Sequence, residues 1–168
     1  MGLRGFEVLE EAKDYFTEEG AKELKLIAAV KKPGRSTTKA AGYDICSIEA
    51  HDYMPGEMYP IRTGITSFMQ DDEVLQLFVR SGMAFKNQMT LQNATGIVDA
   101  DYYGKEIKVL LRNEGSEVFT VNVGDRIAQG VFTKYLVVDD EDVTEQVIRK
   151  DGLGSTGGNS ASQSIYVK

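Results

Sequence analysis

The chain has 168 residues, 42% hydrophobic and 27% charged, which is enough for one domain with a sizeable core. Nineteen Lys and Arg against 26 Asp and Glu leave a net charge of −7, which argues against non-specific binding to duplex nucleic acid. It leaves room for an anionic small ligand held by a few arginines and backbone N–H groups. One cysteine, Cys46, excludes an intrachain disulfide, and one histidine, His51, excludes a Cys/His zinc cluster and limits any Ser-His-Asp site to a single imidazole. No apolar run approaches the ~20 residues that cross a bilayer, and the opening residues carry no secretory apolar segment, so an intracellular protein without membrane contact is expected.

Residues 4–23 read as a helix, with Phe6, Leu9, Ala12 and Phe16 near helical spacing and Gly20 ending it. From residue 24 the pattern changes to short strands. A strand at 24–30 is followed by a polar loop at 31–40 containing Pro33 and Gly34. A strand at 43–48 holds Cys46 as a small buried residue, and His51 then lies in a polar surface turn that runs to Pro55-Gly56. A longer strand covers 58–69, with Gly64 as a bulge or close approach. After a turn at Asp71-Asp72, residues 73–79 alternate Leu75, Leu77 and Val79 against Val74, Gln76 and Phe78.

The central stretch, 96–113, reads as a hairpin. Thr95 to Val98 form the first arm, Asp99 to Gly104 the tip, and Ile107, Val109 and Leu111 one face of the second arm. A strand at 117–123, a turn at 122–125 and a strand at 127–138 follow. Strands at this spacing predict an all-β barrel or jelly roll. There is no internal repeat and no interdomain linker, so residues 1–168 form a single domain. Residues 152–163 are rich in Gly, Ser, Asn and Thr and predict a mobile tail.

Five stretches carry residues suited to chemistry. Ala40-Ala41-Gly42-Tyr43-Asp44 combines small residues, past which another backbone can run, with a carboxylate in a strand. Arg80-Ser81-Gly82-Met83-Ala84 follows a strand and joins a guanidinium, a hydroxyl and free N–H groups, as a phosphate cradle requires. Asp99, Asp101 and Tyr102 gather at the tip of the central stretch. Gly124-Asp125-Arg126-Ile127-Ala128-Gln129 opens a strand with an ion pair. Arg149 to Gly157 sets Ser155 and Thr156 among glycines, which suits either a phosphate-wrapping nest or a flexible tail.

In chain order these stretches resemble the five motifs of the trimeric dUTPases: A-A-G-Y-D, R-S-G-[LM]-A, G-[VI]-[IV]-D-x-D-Y-x-G, G-[DE]-R-I-A-Q and R-G-x-G-G-F-G-S-T-G. The resemblance spans residues 40–157, and RGFEV near the N-terminus resembles the opening of phage and Gram-positive bacterial members. It implies a homotrimeric jelly-roll-like β-barrel, here with an extra N-terminal helix at 4–23 and a C-terminal arm at 149–168. The implied reaction is hydrolysis of dUTP to dUMP and pyrophosphate in the cytoplasm of a bacterium or a phage-infected host. That reaction keeps uracil out of DNA and supplies dUMP for dTMP synthesis.

By the resemblance Asp99 activates the water that attacks the α-phosphorus. Arg80, Ser81, Gly82 and Gln129 hold phosphates, while Asn93, Gly96 and Ile107 read the uracil. Tyr102 turns away a 2′-hydroxyl. Arg149, Gly154, Ser155 and Thr156 close over the γ-phosphate of a neighbouring subunit's site, and Asp44 and Arg126 support the site structurally. Mg²⁺ is expected on the triphosphate, held through phosphates and water, with no protein ligand set. Leu153 stands where the fifth motif has its uracil-stacking Phe, and Lys150-Asp151 shorten its Gly-rich run.

Two rivals stand beside this expectation. A dCTP deaminase shares the fold but needs a glutamate where this chain has Leu110. A dUTPase-like regulatory protein that docks on a repressor would use the same trimer for binding.

Overall fold

The computed structural model describes residues 2–9 and 30–140. The chain divides into two compact units, Met1–Leu136 and Val137–Lys168. Residues 24–29 of the strand expected at 24–30, residues 10–23 of the expected helix and the C-terminal arm at 149–168 lie outside the described residues.

The described fold is all-β apart from one short helix. Its strands are β1 (Gly5–Val8), β2 (Tyr43–Cys46), β3 (His51–Tyr53), β4 (Met58–Arg62), β5 (Ile65–Phe68) and β6 (Glu73–Val79). After helix α1 (Ser81–Asn87) come β7 (Met89–Leu91), β8 (Gly96–Val98), β9 (Lys108–Asn113), β10 (Phe119–Val121) and β11 (Arg126–Lys134). All pairings are antiparallel, in a four-stranded sheet β2-β11-β6-β8, a three-stranded sheet β4-β9-β7, and two ribbons, β1-β5 and β10-β3. This is a jelly-roll-like arrangement, and its core lies where the period-two pattern put it. Ile107, Val109 and Leu111 are buried together with Leu75, Leu77 and Ile127, while Lys108 between them is exposed.

Four expectations are corrected. Residues 5–8 form a strand rather than the start of a helix. β1 pairs with β5 from Gly5 opposite Phe68 to Val8 opposite Ile65. Gly5 accepts the ring of Phe68, which a Cβ would meet at 2.9 Å, and Phe6 buries its ring against Tyr43 and Phe132. A sheet edge and an aromatic pocket thus override a weak three-residue periodicity. The 58–69 segment is two strands, because Gly64 turns at φ +65 and sends β4 and β5 to different partners.

The third correction concerns the central stretch, which is not a hairpin. β8 pairs with β6, and β9 pairs with β4 and β7, so residues 99–107 cross from one sheet to another. Gly96 lies so close to Leu77 that a Cβ would meet the Leu77 Cβ at 3.0 Å, which draws β8 onto β6. The crossing begins with a 3₁₀ turn, Ala100–Tyr102. His51 also differs from expectation. It sits half-buried in β3, stacked on Tyr59 with ring centroids 3.9 Å apart, and its Nε2 meets Glu57 Oε1 at 3.0 Å.

Asn113 closes the end of β9. It is fully buried, its amide N–H groups donate to Tyr53 O and Glu117 O, and its Oδ1 accepts from Gly115 N. Asn113→Ala orphans all three partners and should cost about 3 kcal/mol. Urea unfolding measures this, and a loss under about 1 kcal/mol would mean that water replaces the amide.

Candidate active site

Asp44 is the hub of one end of the four-stranded sheet. Its Oδ1 accepts Arg80 Nε at 2.9 Å, and its Oδ2 accepts Arg126 Nη1 at 3.2 Å and Ser36 Oγ at 2.6 Å. Its backbone N–H is given to Gly34 O at 2.9 Å, which pins the 31–40 loop beside it. Burial alone would raise the Asp44 carboxyl, but the Ser36 hydroxyl, Arg80 and Arg126 outweigh it and hold the group below the ordinary carboxylate range.

The register explains why these groups meet. Asp44 stands opposite Gln129 across the β2–β11 ladder, so both side chains leave the same face. Gly42 clears space there, since a Cβ would meet Gln129 Oε1 at 2.5 Å. The ladder shifts between Arg126, opposite Cys46, and Ala128, opposite Ile45. This bulge at Ile127 reverses the alternation and brings Arg126 onto the Asp44 face, while Ile127 itself is fully buried. Val79 of β6 pairs with Ala128, so Arg80 emerges at the same end.

Arg80 is also the N-cap residue of α1. The first intrahelical bond is Ala84 N to Arg80 O, so the N–H groups of Ser81, Gly82 and Met83 make no bond within the helix. The predicted Ser-Gly cradle is therefore a helix start. Arg80, Arg126 and Asp125 border a cleft of about 240 Å³ whose lining also includes Met83, Phe119 and Ile127. The set suits a multiply charged anion: two guanidiniums held by one carboxylate, a helix start and an amide.

The second predicted group lies elsewhere. Val98 pairs with Leu75, so Asp99 leaves β8 beside Val74, at the opposite end of β6 from Arg80. At ~3.3 Å per residue the two ends are roughly 20 Å apart. Asp99 is exposed, and its carbonyl accepts Tyr102 N–H at 3.1 Å. Tyr102 is buried, and its hydroxyl donates to Glu106 O at 3.0 Å. Ile107 donates its N–H to Ile65 O and accepts Thr63 Oγ1 at its carbonyl, so only a second carbonyl lone pair is left for a ligand. Asn93 is exposed in the turn before β8, where its carbonyl accepts Thr95 N–H.

The family model for dUTPases matches residues 28–157. The chain belongs to the dUTPase family. It is 36% identical to a deoxyuridine 5'-triphosphate nucleotidohydrolase of Lactococcus lactis, over 94% of this chain and 99% of that one. A counterpart from Wolinella succinogenes is 38% identical over 80% of this chain and 91% of its own length. The crystal structure of a dUTPase from Streptococcus mutans superposes with a TM-score of 0.67 at 31% identity, covering 81% of this chain and 99% of that one. A dUTPase from phage phi11 of S. aureus, 21% identical, shares the fold with a TM-score of 0.64, covering 86% of this chain and 98% of that one.

Sequence reasoning missed three polar residues around these dUTPase motifs. Ser36 reaches Asp44 from an ordinary polar loop, and Arg62 and Glu106 pair across 44 positions in sequence. No local pattern marks them, because each is defined by a partner that only folding supplies. Arg149, Gly154, Ser155 and Thr156 lie outside the described residues.

Proposed function

We propose that the chain hydrolyses dUTP to dUMP and pyrophosphate at sites shared between the subunits of a homotrimer. The supporting observation is the separation within one chain. The Asp44, Arg80, Arg126 and Gln129 group and Asp99 stand at opposite ends of β6. An anion held by the first group meets a base like Asp99 only when a second chain brings one.

In this scheme Arg80, Gln129 and the N–H groups at Ser81 and Gly82 hold the triphosphate of dUTP, while Asp44 and Arg126 keep the cluster in shape. Asp99 of a neighbouring subunit takes a proton from water. The water oxygen bonds to the α-phosphorus, and the bond to the bridging oxygen of pyrophosphate breaks. Asn93, Gly96 and Ile107 bound the uracil, and the Tyr102 ring occupies the place of a 2′-hydroxyl. Arg149, Gly154, Ser155 and Thr156 close over the γ-phosphate.

Mg²⁺ enters as part of the substrate. Among the described residues no group of three or more His, Cys, Asp or Glu converges as a ligand set, and we assign the ion to phosphate oxygens and water. Bound there, it would offset charge on the departing pyrophosphate. The protein works in the cytoplasm, on free nucleotide rather than nucleic acid.

The test is pyrophosphate release from dUTP beside dTTP, dCTP and UTP, with and without Mg²⁺. Selective release from dUTP is expected. Ammonia from dCTP would instead support the deaminase reading, against which Leu110 of β9 stands in place of the required glutamate.

A further inference from the structure

We propose that Glu106, paired with Arg62, is the positioning residue of the 99–107 crossing and thereby helps set the preference for a 2′-deoxy sugar, which rests on the roles given above to Asp99 and Tyr102. The crossing is the only covalent link from Asp99 to β9, and it must hold a base and a sugar-facing ring in fixed relation. Glu106 joins both of its sides. Its carboxylate accepts Arg62 Nε at 3.0 and 3.2 Å and Gly64 N at 2.9 Å, which fastens it to the corner between β4 and β5. Its backbone carbonyl accepts the Tyr102 hydroxyl at 3.0 Å.

Both charged side chains are largely withdrawn from water, at 18% exposure for Arg62 and 14% for Glu106. Such a pair is screened far less than a surface one, and one Arg62 Nε–H shared by both carboxylate oxygens, together with the Gly64 N–H on one of them, fixes where the carboxylate stands. The Gly64 N–H is available at this corner because the chain turns there at φ +65. Around the pair the crossing is fastened by neutral bonds: Ile107 N to Ile65 O, Thr63 Oγ1 to Ile107 O and Gly104 N to Thr66 Oγ1. These hold its far half. Tyr102, in the half nearer Asp99, is tied through its ring hydroxyl to the residue that Arg62 holds.

A tyrosine ring has two free torsions, and the bond at its hydroxyl fixes where the far end of the ring stands. If Glu106 moves, the ring edge moves with it. A displacement near 1 Å is enough to change a reaction rate by about 100-fold. The space beside a 2′-carbon would change in the same way.

Steady-state kinetics with dUTP and UTP test this in Glu106→Ala, Glu106→Gln, Arg62→Met and Arg62→Lys, with Asp99→Asn as a control and circular dichroism for folding. Glu106→Ala and Arg62→Met are expected to lower the dUTP-over-UTP preference by about tenfold, with kcat falling more than KM rises. Glu106→Gln keeps an acceptor for Gly64 N and should stay within about threefold of the parent, whereas Arg62→Lys keeps the charge but not the directed Nε–H and should lose preference as Arg62→Met does. An unchanged preference in folded Glu106→Ala overturns the proposal, and so does lost activity with the preference intact. If Glu106→Ala does not fold, Arg62→Met decides by the same criterion. Turnover that survives in Asp99→Asn would overturn the site assignment itself, a result distinct from flat selectivity beside an inactive Asp99→Asn.

Discussion

Asp99→Asn is expected to lower kcat for dUTP by about 10²–10⁴-fold while leaving the fold intact. The amide keeps the size and shape of the carboxylate but cannot take a proton from water. The turn that presents residue 99 is held by its backbone carbonyl, which accepts Tyr102 N–H, and its side chain is not a hydrogen-bonding cap. Substrate binding should change little, because the anion-holding group lies at the other end of β6. Pyrophosphate release and thermal unfolding measured on the same preparation check both halves. Activity within about threefold of the parent would exclude Asp99 as the base.

Asp44→Ala should lower kcat/KM by about 100-fold, a loss of ~2.7 kcal/mol. Arg80 and Arg126 approach one another only because Asp44 lies between them, with one oxygen for each. Without it two like charges face each other in a partly buried site, and truncating one partner of such a pair costs ~2–5 kcal/mol. KM for dUTP should carry most of the change.

The same carboxyl gives a pH signature. Its pKa lies below its ordinary value of 3.8, so its contribution to stability is present above that value and is lost as pH falls through the lowered one. The parent protein should therefore lose stability on acidification below about pH 4 more steeply than Asp44→Asn. Parallel slopes in urea unfolding between pH 5 and pH 3 would show that the three partners do not favour the ionised form.

Much of the site's chemistry is legible one residue at a time. Gly42, Asp44, Arg80 and Gln129 stand in short runs whose residue types suit an anion, and they meet as those runs suggest. The alternation of Ile107, Val109 and Leu111 also reports its buried face directly, because a strand's period of two is local geometry. The N-terminal strand was not legible. Phe6 and Leu9 fit a helix as well as a strand, and only β5 and the Tyr43–Phe132 pocket decide between them. The central stretch looked like a hairpin because two apolar arms flank a turn, yet each arm finds more contact in a different sheet.

By itself the sequence determined the class of fold, the family and the short motifs in which Asp44, Arg80 and Arg126 stand. Composition, alternation and short motifs express local chemistry, and all of them survive in any arrangement of the strands. The tertiary structure decided where those residues stand. A bulge at Ile127 turns Arg126 onto the Asp44 face, a pairing of Val98 with Leu75 puts Asp99 at the far end of β6, and Glu106 finds Arg62 across a corner made by Gly64. Each of these is a register or a long-range pair. It is set by which faces can be buried together, and that is a property of the whole packed chain rather than of any segment.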